Sequence, residues 1–185
     1  MPAEPRKLPV PLDVVRLIET LESHQVDYLV VGGVAAIAYG ALRPTQDVDC
    51  VVGRDQDNLA RLAAALRELD ARLAVEGMTD EEARQLPVHL DGAFLAAMEI
   101  STWTTEAGHV DVLSTLPSAE GTPRGYEQLV ARANRLATDR VVIRVAALED
   151  IIASKEWANR PKDRQALPEL RALRDAAAGE DDASS

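Results

Sequence analysis

Residues 30–52 read VVGGVAAIAYGALRPTQDVDCVV, and this stretch decides the fold. It opens as the end of a buried strand, turns on Gly32 and Gly33, and closes on a second apolar run that carries two aspartates. Side chains alternate along a strand, so Asp47 and Asp49 project from one face. Val48, Cys50 and Val52 then point the other way, into a core. The glycines follow a strand and precede a short helical run. Glycine lets a ligand approach the backbone closely, and a helix start offers unbonded N–H groups to an anion. An ordinary tight turn and a solvent-facing strand would explain each half separately. Together they suggest a phosphate-binding turn beside an acidic strand.

Working outward, segments of both periods alternate. Residues 12–25 place Val14, Leu17, Ile18 and Leu21 on one helical stripe, and 28–31 form a short strand. A short helix is expected over 34–42 and a strand over 47–53. Residues 55–73 are an amphipathic helix that Asp55 is placed to cap. Residues 74–97 give little beyond a capping box at Thr79 and Glu82. Residues 97–105 and 109–115 alternate like strands around a tight Glu106-Ala107-Gly108 connection, which predicts a hairpin. A helix over 125–137, a strand over 140–147 and a helix over 148–160 follow. Pro161 suits the first turn of one more helix, with Pro168 expected to break or kink it. The expected organisation is an extended arm at 1–11, a mixed α/β core at 12–147, packed helices at 148–176 and a disordered acidic tail at 177–185.

The second strand of the hairpin carries Asp111 between Val110 and Val112, with His109 and Leu113 on its own face. Three carboxylates are therefore expected on one side of the sheet. Carboxylates that close raise one another's pKa, and a cation relieves the cost. Oxygen ligands of this kind suit Mg²⁺ or Mn²⁺, which keep waters and bridge to substrate phosphates. On the helix from Leu148, Lys155 continues the apolar stripe of Leu148, Ile151 and Ile152 and is expected to turn inward. Trp103 and Trp157 read as core. His24 and His89 have no partner pattern.

Composition bounds the partners. Lys plus Arg is 20 and Asp plus Glu is 31, a net charge of −11, so the chain is a poor generic nucleic-acid binder. Cys50 is the only cysteine, which excludes an intrachain disulfide and fits a reducing cytoplasm. No apolar run approaches the ~20 residues of a membrane span, and the N-terminal stretch has no signal-like apolar core.

The order strand, Gly-Gly, short helix, Arg-x-Thr-x-Asp-x-Asp resembles the nucleotidyltransferase fold of the polymerase-β-like superfamily. The matching residues are Gly32, Gly33, Arg43, Thr45, Asp47 and Asp49, with thirteen residues between Gly33 and Asp47. The run LEDIIASKEWANRPKDRQAL is similar to the closing motif of AbiEii-like and Men-type toxin nucleotidyltransferases, matched here by Lys155, Arg160, Lys162 and Asp163. Gly33 stands where many catalytic members of the superfamily have serine, although the AbiEii-like branch often has glycine, and Ala166 stands where that branch tends to carry aspartate. The resemblance implies a mixed sheet flanked by helices, followed by a C-terminal helical segment. It implies metal-dependent transfer of a nucleoside monophosphate from a nucleoside triphosphate such as ATP, with release of pyrophosphate. Asp47, Asp49 and Asp111 would hold divalent ions, and Asp111 would take the acceptor's proton. Gly32, Gly33, Arg43, Thr45, Lys162 and Asp163 would bind the nucleotide, and Lys155 would act in catalysis. The acceptor would be tRNA, docked by Lys155, Arg160, Lys162 and Arg164, and a cognate antitoxin would be a partner. A protein or small-molecule acceptor, or a non-catalytic module of the same fold, is the alternative.

Overall fold

The computed structural model describes residues 10–137 and 140–183, so all but the last two residues of the expected arm at 1–11 lie outside the described residues. The elements run α1 (Val14–Ser23), β1 (Tyr28–Val31), α2 (Gly32–Ala38), β2 (Asp47–Val52), α3 (Gln56–Glu68), β3 (Arg72–Leu73), α4 (Asp80–Arg84), α5 (Gly92–Ala96), β4 (Ile100–Thr105) and β5 (Gly108–Leu113). They continue with β6 (Thr115–Pro117), β7 (Pro123–Gly125), α6 (Tyr126–Val130), β8 (Asn134–Ala137), β9 (Val142–Val145), α7 (Leu148–Ala158) and α8 (Pro161–Ala183).

Local chemistry sets the boundaries. Asp13, Asp55 and Asp91 each accept a backbone N–H three residues on, at 3.1, 2.8 and 2.8 Å, and so start α1, α3 and α5. The Thr79–Glu82 capping box starts α4 as expected. Beneath α3, Asn58 is fully buried and ties the chain together: it accepts from the N–H of Asp27 and donates to the carbonyls of Asp27 and Gly53. Its Ala replacement would take the side-chain partner from the Asp27 N–H and the Gly53 carbonyl, while the Asp27 carbonyl keeps the Gly53 N–H at 2.9 Å.

Seven strands form one mixed sheet in the order β3-β4-β5-β2-β1-β9-β8. Strands β2 and β5 run parallel at its centre, and β1 pairs antiparallel with β2 and parallel with β9. One face of β2, β4 and β5 is core: Val48, Cys50, Val52, Trp103, Val110 and Val112 are buried. The other face carries the carboxylates.

Several expectations change, among them the helix expected over 55–73, which ends at Glu68 ahead of β3. The helix expected at 125–137 stops at Val130, and the chain reverses into edge strand β8, paired with β9. After Val130 the apolar stripe ends, so nothing favours helix over a strand partner. The strand expected at 140–147 is correspondingly short, Val142–Val145. Residues 177–183, expected to be disordered, extend α8, and Pro168 lies inside that helix instead of ending it. The alanines at 176–178 favour helix, and buried Leu167 and Leu170 hold the segment around Pro168 against the body.

Candidate active site

Register builds the site. The parallel pairing of β2 and β5 sets Asp49 beside Asp111 and Asp47 beside His109. Neighbouring strands lie ~4.8 Å apart and paired residues share a face. All three carboxylates are half-buried. Thr45 donates to Asp47 Oδ1 at 2.9 Å, which gives the Arg-x-Thr-x-Asp spacing a local purpose.

The two glycines divide their work. Gly32 has φ +63, and a Cβ there would sit 1.9 Å from Asp49 Oδ2. Only glycine lets that carboxylate lie against the turn. Gly33 keeps an ordinary φ, so backbone strain does not explain it. A Cβ at Gly33 would meet Thr45 Oγ1 at 2.5 Å and so disturb the group that orients Asp47. Helix α2 starts at these residues, and its N-cap, Val31, makes no side-chain capping bond.

Electrostatics single out Asp49. Burial, then the charges of Asp47 and Asp111, push its carboxyl up to about 6, against the opposing charges of Lys162 and Lys155. Asp111 Oδ1 is buried and has no hydrogen-bond partner among the described residues. An acceptor-only oxygen left unpaired is costly, and a divalent cation would satisfy it while relieving the crowding at Asp49. The donor set therefore fits a hard cation such as Mg²⁺ or Mn²⁺ in chemistry and in face. Among the described residues no three His, Cys, Asp or Glu side chains converge closely enough to form a ready-made metal cage.

Helices α7 and α8 bring the cations. Leu148, Ile151 and Ile152 are buried. Lys155 continues their stripe inward, only 16% exposed, with Nζ 3.4 Å from Asp163 Oδ1. Asp163, expected to bind nucleotide, is 0% exposed instead and faces Lys155 and Arg160. Arg160 Nε donates to its Oδ2 at 2.6 Å. Burial pushes the Asp163 carboxyl up, but the bond and charge of Arg160, with the charge of Lys155, outweigh it and hold the group below its usual range. Asp163 therefore acts on two cations, as an acid in the first turn of α8.

The sequence places Arg160 in the Arg-x-Lys-Asp run but gives it no part in holding the nucleotide. In the structure its bond to Asp163 outweighs burial and, with the charges of Asp163, Asp49 and Asp47, raises its pKa. Lys162 is exposed, and its charge bears on Asp49 more than that of Lys155. Arg43 is exposed and reaches Gln165 Oε1 on α8 at 3.4 Å. Trp103 is buried core as expected, but Trp157 is 54% exposed and packs on Gly121 in the β6–β7 turn.

A family model described as "Nucleotidyltransferase of unknown function (DUF6036)" matches residues 12–173. The chain belongs to this family. The DUF6036 nucleotidyltransferase shares its fold with solved enzymes across nearly their full length. The lincosamide antibiotic adenylyltransferase LnuA, crystallised with lincomycin, is 13% identical over 88% of this chain and 99% of its own, with a TM-score of 0.58. ANT(2'')-Ia, solved in complex with adenylyl-2''-tobramycin, is 14% identical over 89% of this chain and 94% of its own, with a TM-score of 0.53. At such identities the likeness establishes the mixed α/β nucleotidyltransferase fold. No curated protein matches the sequence. Among the described residues no helix is long and apolar enough to cross a membrane.

Proposed function

We propose that this nucleotidyltransferase moves a nucleoside monophosphate from a nucleoside triphosphate to an acceptor hydroxyl, with Asp47, Asp49 and Asp111 holding Mg²⁺ or Mn²⁺. The observation that carries the reading is the pairing of Asp49 with Asp111, whose Oδ1 is buried without a hydrogen-bond partner among the described residues. A bound divalent ion supplies charge neutralisation at the phosphates and acidity at the attacking oxygen.

The chain's own residues do the rest. The backbone of Gly32 and Gly33 cradles the outer phosphates. Lys155 and Lys162 offset their negative charge, with Arg160 beside them. Thr45 fixes Asp47, and Asp163 fixes Lys155 and Arg160. Arg43 closes the α8 side of the triphosphate. Asp111 receives the acceptor's proton. ATP is the first nucleotide to test.

The tRNA acceptor and the antitoxin partner rest on the resemblance of the Lys155–Asp163 run to toxin motifs. The proposed dock is mostly engaged within the fold: Lys155 and Arg160 hold Asp163, and Arg164 donates to the carbonyl of Asn159 at 2.6 Å. The deciding experiment incubates the protein with each α-labelled nucleoside triphosphate and Mg²⁺, in the presence of tRNA, protein or small-molecule acceptors. Labelled product and pyrophosphate should appear, and both should vanish with EDTA. Metal-independent turnover, or none at all, would overturn the reading.

A further inference from the structure

The carboxylates sit at one end of a wider surface. On their face of the sheet, β5 presents His109 and Leu113 on either side of Asp111. Pairing places Thr102 opposite Asp111, Thr104 opposite His109 and Ile100 opposite Leu113. Cross-strand partners share a face with their Cβ atoms ~5 Å apart. The reverse face of these two strands is sealed core, with Ser101, Trp103, Thr105, Val110 and Val112 all buried. The carboxylate face is open by comparison: Ile100 is 61% exposed, and Thr102, Thr104, His109 and Leu113 are half-buried. Two hydroxyls, an imidazole and two aliphatic groups thus floor a surface that begins at Asp111. Thr104 Oγ1 and His109 Nδ1 lie 3.3 Å apart in a hydrogen bond, which leaves Nε2 as the ring's other polar atom.

Charge divides the site into two walls. The cations that bear on the carboxylates, Lys155, Arg160 and Lys162, all come from α7, α8 and the turn between them. The chain from Ile100 to Leu113 contains no lysine or arginine. Arg72 on β3 pairs opposite Thr104 but is bound to Asp70. Arg135 and Arg144 pair on β8 and β9, at the far end of the sheet beyond β1. A triphosphate belongs on the cationic wall. A molecule approaching over β4 and β5 meets a carboxylate and neutral polar groups instead. A nucleic acid end would bring backbone phosphates to a wall where β4 and β5, from Ile100 to Leu113, offer no cation to receive them.

We propose, resting on the nucleotidyl-transfer reading above, that the acceptor is a small hydroxylated molecule without negative charge, seated on the β4–β5 face over Thr102, Thr104 and His109. Its hydroxyl oxygen bonds to the α-phosphorus. The bond from that phosphorus to the α–β bridging oxygen breaks, pyrophosphate leaves with the electron pair, and the hydroxyl proton passes to Asp111.

The test offers α-labelled nucleoside triphosphate and Mg²⁺ together with three acceptor pools: purified tRNA, a cytosolic protein fraction, and a panel of neutral and cationic hydroxylated small molecules joined to a low-molecular-mass extract. Label should enter the small-molecule pool alone. With the compound so identified, Thr102→Val and His109→Gln should each raise the acceptor KM tenfold or more, well beyond any change in the nucleotide KM. Thr102→Ser should restore it. The same variants should weaken binding of that compound to metal-free protein by calorimetry. Label in tRNA or protein, label in no pool while nucleotide is still hydrolysed, or equal effects on both KM values would overturn the acceptor assignment. If the protein shows no metal-dependent nucleotide turnover of any kind, the nucleotidyl-transfer reading itself falls, and the acceptor assignment with it.

Discussion

In the unfolded chain the Asp49 carboxyl ionises at ~3.9, whereas in the fold it ionises at about 6. Between those values the folded state holds a proton that the unfolded state has lost. The Asp49 contribution to the stability of the metal-free protein therefore falls as pH rises from about 4 to about 6 and stays at the lower level above. Asp49→Asn removes that load. The variant should be inactive yet more stable than wild type in EDTA at pH 7.5, by roughly 1–3 kcal/mol, since each tenfold change in an ionisation constant is worth about 1.4 kcal/mol. The gain should shrink toward pH 4, and Mg²⁺ should narrow the gap at neutral pH by stabilising the wild type alone. A variant no more stable than wild type in EDTA at pH 7.5, by differential scanning calorimetry, would mean that Asp49 is not under strain. Part of this site was legible in the sequence. Period-two alternation alone put Asp47 and Asp49 on one face and Asp111 on another strand. It could not show that β2 and β5 pair in the register that makes Asp49 and Asp111 neighbours. Nor could it show that Asp163 is sealed under two cations, because burial at a helix start depends on what packs above it.

At the scale of elements, the long periodic segments were readable, and of the short ones only those with a clear local signal, such as β1 and the capped start of α4. Helices α1, α3 and α7 each carry an apolar stripe of several turns, so pattern alone locates them. Helix α5, the β6–β7 pair and strand β8 span only three to five residues each and exist because a partner is present. Helices α7 and α8 meet at the Lys155–Asp163–Arg160 cluster, and the two ends of that cluster should respond differently to substitution. Lys155→Met keeps the packed stem and leaves Asp163 bonded to Arg160 at 2.6 Å. The buried carboxylate stays paired, so the melting temperature should move by no more than a few degrees, at roughly 2–4 °C per kcal/mol. The loss of a cation beside the phosphates should lower kcat by about a hundredfold or more, an electrostatic effect of a few kcal/mol. Asp163→Asn instead leaves two cations facing a neutral amide and removes charge-assisted bonds worth about 1.5–3 kcal/mol, a larger drop in melting temperature than Lys155→Met should give. Paired thermal melts and turnover rates separate the roles. A Lys155→Met protein that keeps wild-type kcat would reduce the lysine to a packing residue.

The whole molecule carries a net charge of −11, and its substrate carries several negative charges of its own. The field far from the site therefore opposes the nucleotide, and long-range steering does not help it arrive. On the proposed reading attraction has to be local, from Lys155, Lys162, Arg160 and Arg43 on one side and from a bound divalent ion on the other. On that reading four cations stand against the triphosphate together with Asp47, Asp49 and Asp111, so the protein's own charges would not neutralise the complex. Nucleotide affinity should consequently depend on the metal far more than on ionic strength. Titration of ATP by calorimetry should show at least a tenfold weaker Kd in EDTA than in Mg²⁺, about 1.4 kcal/mol or more. Raising NaCl from about 50 to 300 mM should weaken binding only modestly, because the attracting groups are close and partly desolvated while screening acts on charges beyond the ~10 Å Debye length. The opposite pattern, metal-independent binding that collapses with salt, would mean that diffuse surface charge holds the nucleotide and that the paired carboxylates on β2 and β5 are not its anchor.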